Sequence, residues 1–208
     1  MRKNFISFAG LCGILTPTIV FTTIFLAISY SPNFSWTENW LSDLAGVYIA
    51  PPTFPDRPDV STPTTAVIFN SGLFTCGILG FIFSIGLCKS IRIHSGRIGS
   101  FIMMFASIAL FNIGLFPEPT GIPHVIASLT YFLLGPIAIF YIAAAALDSD
   151  QKLLGYFATI LGIIGIIFGG VFILFGAIPE FIAALSTSIF TIIFGIKMYK
   201  QGPNSIIA

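Results

Sequence analysis

The fold is decided by the stretch LGYFATILGIIGIIFGGVFILFG, residues 154–176, which contains no charged residue and no proline. A helix of about 20 apolar residues is long enough to cross the hydrocarbon core of a bilayer. Five further long apolar stretches occupy residues 5–30, 66–88, 97–116, 122–147 and 179–199. The sequence therefore predicts an all-α integral membrane protein with six transmembrane helices.

The composition supports the same class independently. The chain is 56% hydrophobic and 8% charged, whereas soluble domains carry roughly 25% charged residues. We expect residues 1–208 to form a single membrane bundle, because six spans leave no room for a soluble domain. A net charge of +1 without a clustered basic face argues against nucleic acid as a partner. The predicted partner is the lipid bilayer, and the predicted location is the cell membrane, crossed several times.

The charges predict the orientation of the bundle. With six spans, eight of the nine Lys and Arg residues fall on one side and six of the eight acidic residues on the other. Short loops rich in Lys and Arg stay in the cytoplasm. Both termini are therefore predicted to be cytoplasmic. The eight basic residues are Arg2, Lys3, Lys89, Arg92, Arg97, Lys152, Lys197 and Lys200.

The outer loop, residues 31–65, has two parts. Ser35 and Glu38 have the spacing of a helix capping box, and the apolar residues that follow recur at helical spacing. This pattern predicts a short amphipathic helix in the outer head-group layer. Its apolar face would hold Trp36, Trp40, Leu41, Leu44 and Tyr48, and its polar face would hold Glu38, Asn39, Ser42 and Asp43. Ser42 and Asp43 would face water or the mouth of the bundle. The proline-rich segment 51–63 is either a lid or a spacer, and its composition favours a spacer.

Two segments of the C-terminal half resemble each other. Residues 122–129, IPHVIASL, match residues 178–185, IPEFIAAL, at five of eight positions. The hairpins 97–147 and 154–199 are therefore either two copies of one unit or a chance match between apolar helices. If the repeat is real, His124 and Glu180 occupy equivalent positions in the first turns of two helices.

Polar residues collect at the predicted outer end of the bundle. Such groups are costly in lipid and are expected to face the bundle interior or a wet cavity. We consider His124, Glu118 and Asp43 as candidate catalytic residues, with Ser128 one turn below His124. Candidate ligand-binding residues are Ser42, Asn70, Asn112 and Glu180. The alternative is that these residues are helix caps and helix-interface residues. No histidine pair has a metal-binding spacing, and neither a metal nor a cofactor can be named.

Two functions remain open. The favoured one is a non-catalytic accessory subunit or lipid-binding scaffold, in which the small-residue faces of Gly165–Gly169 and Gly72–Gly80 serve partner helices. The alternative is an outer-face enzyme that acts on a lipid or isoprenoid head group. His124 would then be the general base or a metal ligand, and Glu118 and Asp43 would orient it or hold a cation.

Several short motifs resemble a known family. They are WLSDL at 40–44, IFNSG at 68–72, GLFPE at 114–118, His124, and FLLG at 132–135. In these the chain resembles domain of unknown function 998, a family of six-helix membrane proteins of archaea and bacteria. The isoleucine-rich helices would suit an archaeal membrane. The resemblance implies six helices and no established activity. It also implies outer-face roles for Ser42, Asp43, Asn70, Glu118 and His124.

Overall fold

The computed structural model describes residues 2–46, 60–201 and 206–207, and it contains six long α-helices. All six are long and apolar enough to cross a membrane, which confirms the predicted helical class. Each helix begins and ends within three residues of its predicted bounds. The helices are α1 Arg2–Tyr30, α2 Pro63–Ser90, α3 His94–Leu115, α4 Ile122–Leu147, α5 Lys152–Phe175 and α6 Ala177–Gln201.

The helices form a closed antiparallel ring. Each packs against its neighbours in the chain, and α6 returns to pack against α1. The direction follows from the close contacts: Gly72 near the start of α2 meets Thr23 near the end of α1, and Gly86 near the end of α2 meets Ala9. One end of the ring therefore holds the ends of α1, α3 and α5 and the starts of α2, α4 and α6. We call this the loop end, because the loop between α1 and α2 lies there.

Local sequence signals explain where helices begin at the loop end. Thr62 caps α2, with its hydroxyl oxygen accepting a hydrogen bond from the backbone N–H of Thr65 at 3.1 Å. Pro63 and Pro123 lie in the first turns of α2 and α4, where a missing N–H removes no hydrogen bond. Between α3 and α4 the chain reverses through a short 3-10 turn, Glu118–Thr120, and Gly121 with a positive φ of 71°. The turn brings His124 back beneath the end of α3.

Glycines let neighbouring helices of this chain approach closely. A Cβ atom at Gly10 would lie 2.6 Å from the carbonyl oxygen of Gly195, so α1 and α6 are in backbone contact. The glycines that could have served partner helices have neighbours within the chain. Gly72, Gly80, Gly165 and Gly169 face Thr23, Ser107, Pro136 and Phe132, respectively. Their small size therefore permits close packing between helices of this chain.

Residues 35–46 lie across the loop end, and we call them the cover segment. The α-helix predicted from Ser35 is not formed there: residues 36–38 make a turn, and Leu41–Ala45 make a 3-10 helix. Two side chains compete with the helical backbone for its N–H groups, as short polar side chains do. Asn39 Oδ1 accepts from the N–H of Ser35 at 2.9 Å, and Asp43 Oδ2 accepts from that of Trp40 at 2.9 Å. Tyr48 and residues 51–59 of the proline-rich segment lie outside the described residues.

Aromatic contacts hold the cover segment against the bundle. Trp36 packs edge-on against Phe181 of α6 with ring centroids 5.4 Å apart, and against Phe34 at 5.5 Å. Trp40 is only 9% exposed, and Leu44 is fully buried among residues of α1 and α2. Both tryptophans therefore anchor the segment on the protein.

Candidate functional site

A cavity of about 80 Å³ lies inside the ring, beneath the cover segment. Its walls come from α1, α2, α3, α4 and α6 and are mostly apolar. Ser42, Ser128 and Glu180 line its loop end, and Thr191 lines its deep end. Glu180 and Thr191 are eleven residues apart on α6, which is about 16 Å at 1.5 Å per residue. The cavity is therefore long and narrow, with polar side chains at its loop end.

Two carboxylates hold the cover segment over this cavity. Asp43 accepts from the N–H of Trp40 and from the side-chain amide of Asn39 at 3.0 Å. Glu180 Oε2 accepts from the next backbone N–H, that of Leu41, at 2.8 Å. Asp43 thus stabilises the conformation of the cover segment by bonds inside it, and Glu180 links the segment to α6. The two carboxylates are near enough to interact electrostatically.

The first turn of α6 makes a second bond to the same segment. The N–H of Ala177 donates to the carbonyl oxygen of Asn39 at 2.7 Å, which satisfies one of the free N–H groups of a helix start. Asn39 is fully buried. The segment and α6 are therefore joined through both main-chain and side-chain groups.

His124 is buried, with 4% of its surface exposed, and both ring nitrogens have partners. Nδ1 lies 2.9 Å from the carbonyl oxygen of Phe116, and Nε2 lies 3.2 Å from the hydroxyl of Ser128. A carbonyl oxygen only accepts, so Nδ1 carries the proton and donates it. The neutral ring then has its lone pair on Nε2, where the Ser128 hydroxyl donates. The ring is oriented by a main-chain carbonyl at the end of α3.

The remaining candidate residues lie at three other places. Asn70 donates through Nδ2 to the carbonyl oxygen of Ala45 at 2.7 Å, while its buried Oδ1 has no hydrogen-bond partner among the described residues. Asn112 lines a groove between α3 and α4 on the outside of the ring, together with Thr130. Glu118 is half-buried in the α3–α4 turn. The cavity thus brings together Ser42, Ser128 and Glu180, with Asp43 and His124 directly behind them, and leaves Asn112 apart.

The sequence analysis placed Ser128 one turn below His124 and Asn39 on the polar face of the predicted helix, but it assigned neither residue a role in the site. Ser128 follows His124 by four residues, and on a helix this spacing places two side chains side by side. That signal was present in the sequence. Asn39 had no comparable signal, because its role depends on a turn that replaces the predicted helix.

The described residues contain no group of three or more His, Cys, Asp or Glu side chains that could hold a metal ion.

The ring, the cavity and the six apolar helices together define a multi-pass, all-helical membrane protein. The chain belongs to the family described as protein of unknown function (DUF998), whose model matches residues 14–197. This match confirms the resemblance drawn from the motifs. Neither a curated protein nor a solved structure matches the chain.

Proposed function

We propose that this protein is a lipid-binding membrane protein that takes one hydrocarbon chain into the central cavity. The observation that carries the proposal is the distribution of polar groups along that cavity. Ser42, Ser128 and Glu180 lie at one end. Hydroxyl groups also line the cavity over about the next 16 Å, but those of Thr16, Ser107 and Thr191 donate to carbonyl oxygens of their own helices, so the deeper walls are mostly apolar. An amphiphile has the same distribution, with a polar head and an apolar tail.

The size of the cavity limits the occupant. A volume of about 80 Å³ excludes a whole two-chain lipid, and it admits a single narrow chain when the lining side chains move apart. The head group would remain at the loop end, where the hydroxyl of Ser42 and the carboxylate of Glu180 accept hydrogen bonds. An alcohol or ammonium head group donates to such acceptors, and charge-assisted bonds are the stronger ones.

The charge pattern assigns this head group to a leaflet. With both termini in the cytoplasm, the loop end faces the outer side of the membrane. The protein would then take its lipid from the outer leaflet. A lipid-binding role fits the glycine contacts better than an accessory subunit does, since the small-residue faces already pack against helices of the same chain.

The proposal is tested by filling the cavity. Ala184 lines it on α6, so Ala184→Phe should fill part of the space that the tail needs. Overpacking costs about 1–3 kcal/mol, so binding of a dansyl-labelled undecylamine, whose free ammonium head can donate to Glu180, should weaken about tenfold. The measurement is a fluorescence titration of the purified protein in nanodiscs.

Ala144→Phe is the matched control, because Ala144 is exposed on the outside of α4. It adds the same bulk away from the cavity and should leave the affinity unchanged. The proposal is wrong if the wild-type protein does not bind the probe, or if the two variants weaken binding equally. Thermal unfolding of both variants shows whether either one has lost its fold.

A further inference from the structure

Ser128 and His124 have the arrangement of a nucleophile and its general base. The Ser128 hydroxyl lies 3.2 Å from Nε2 of His124, and Phe116 holds the opposite nitrogen at 2.9 Å. In hydroxyl-based acyl transfer the base takes the hydroxyl proton, and a third group orients the base. Here the third group is a main-chain carbonyl, which fixes the tautomer that leaves Nε2 free to accept.

The bonding of Ser128 differs from that of other helical hydroxyls in this bundle. Ser107 lines the same cavity, and its hydroxyl donates to the carbonyl oxygen of Met103 at 2.9 Å. Ser84 and Ser100 donate in the same way to carbonyl oxygens four residues earlier. Such back-bonding is how serine usually satisfies its hydroxyl within a helix. Ser128 is bonded to an imidazole, which can take its proton.

The position of Ser128 and His124 indicates which group of a bound lipid would react. Ser128 lines the cavity at the loop end, and His124 lies buried behind it. A tail in the cavity would place the first polar atoms of a lipid beside the Ser128 oxygen. For an acyl lipid, those atoms are the ester carbonyl.

We propose that Ser128 is an acyl-accepting nucleophile, with His124 as its base, for a lipid ester whose acyl chain occupies the cavity. This inference rests on the proposed lipid binding. The Ser128 oxygen forms a bond to the ester carbonyl carbon, and its proton passes to Nε2. The bond from that carbon to the alcohol oxygen then breaks, and Nε2 returns the proton to the departing alcohol.

Water completes the reaction. His124 takes one proton from a water molecule, whose oxygen attacks the acyl-serine. The bond to Ser128 breaks, a carboxylic acid leaves, and the serine recovers its proton. Glu180 lines the same end of the cavity, and its carboxylate disfavours an anionic group there. The substrate class is therefore a neutral or cationic acyl ester.

The test uses decyl fluorophosphonate, which forms a stable bond with an activated serine and carries a single alkyl chain. The purified full-length protein in nanodiscs should gain one probe adduct, which peptide mapping places on Ser128. Ser128→Ala should abolish the adduct, and His124→Gln should slow its formation at least about a hundredfold, as loss of a general base does. Ser100→Ala, at a buried serine outside the cavity lining whose hydroxyl donates to a carbonyl oxygen, should react at the wild-type rate. Hydrolysis of p-nitrophenyl decanoate should follow the same order.

The inference is overturned if the wild-type protein gains no adduct, if the adduct lies on another residue, or if His124→Gln reacts at the wild-type rate. Binding of the dansyl-labelled undecylamine is measured on the wild-type protein at the same time. If the wild-type protein binds the dansyl probe but does not react with the fluorophosphonate, only the serine chemistry is rejected. If the wild-type protein does not bind the dansyl probe, the proposed function is rejected as well.

Discussion

At the scale of single residues, acidic side chains at the loop end stabilise the local conformation of the chain through hydrogen bonds. Asp43 is 7% exposed and accepts hydrogen bonds from Trp40 and Asn39, both of which are also buried. Asp43→Ala leaves these buried donors without their acceptor, which costs about 1–3 kcal/mol. We expect the free energy of unfolding, measured by equilibrium SDS unfolding in mixed micelles, to fall by that amount.

Asp43→Asn is the matched control, because both bonds end on Oδ2 and an amide oxygen in its place can still accept them. Its loss of stability should be smaller than that of Asp43→Ala. Equal stability of Asp43→Ala and the wild-type protein would contradict a structural role for this carboxylate.

At the scale of helices, the contact between α1 and α6 closes the ring. A Cβ atom at position 195 would lie 2.7 Å from the carbonyl oxygen of Gly10 and 3.1 Å from the N of Ile14. Backbone atoms cannot move aside as a side chain can, so Gly195→Ala should force the two helices apart. The expected loss is about 1–3 kcal/mol. It is measured as a lower unfolding temperature in detergent.

Gly170→Ala separates this effect from helix propensity. Its own helix backbone aside, no atom of the described residues lies within 4 Å of the position where its Cβ would be. Alanine favours a helix over glycine by about 1 kcal/mol, so this variant should be as stable as the wild-type protein or more so. If the two alanine variants lose stability equally, close approach of α1 and α6 is not what position 195 requires.

At the scale of the whole molecule, the distribution of Lys and Arg predicts the orientation of the bundle in the membrane. Glu38 and Lys152 are exposed at opposite ends of the ring. In a background without Cys12, Cys76 and Cys88, Glu38→Cys should react with a membrane-impermeant maleimide from outside the cell. Lys152→Cys should react only after the cells are opened. The reverse pattern would invert the predicted topology.

The sequence alone determined the number of helices, their bounds within three residues, and the end of the bundle at which each polar residue lies. A long apolar segment has few alternatives to a membrane helix. Rise along a helix then sets the depth of every residue. Those two facts placed Ser42, His124 and Glu180 at one end of the bundle, and the family match agrees with the motifs found there.

Tertiary structure alone decided which polar residues meet. In a helix that is apolar on all sides, sequence gives little indication of which face points inward. Packing turned Ser128 toward the cavity and Asn112 toward the outside of the ring. The cover segment is a second example of what sequence could not predict. Its apolar residues recur at helical spacing, but the hydrogen bonds of Asn39 and Asp43 and the contacts to α6 stabilise a turn and a 3-10 helix instead of an α-helix. Depth along a helix is a local property of the chain, whereas rotation about its axis and the folding of a loop depend on distant residues that no local pattern contains.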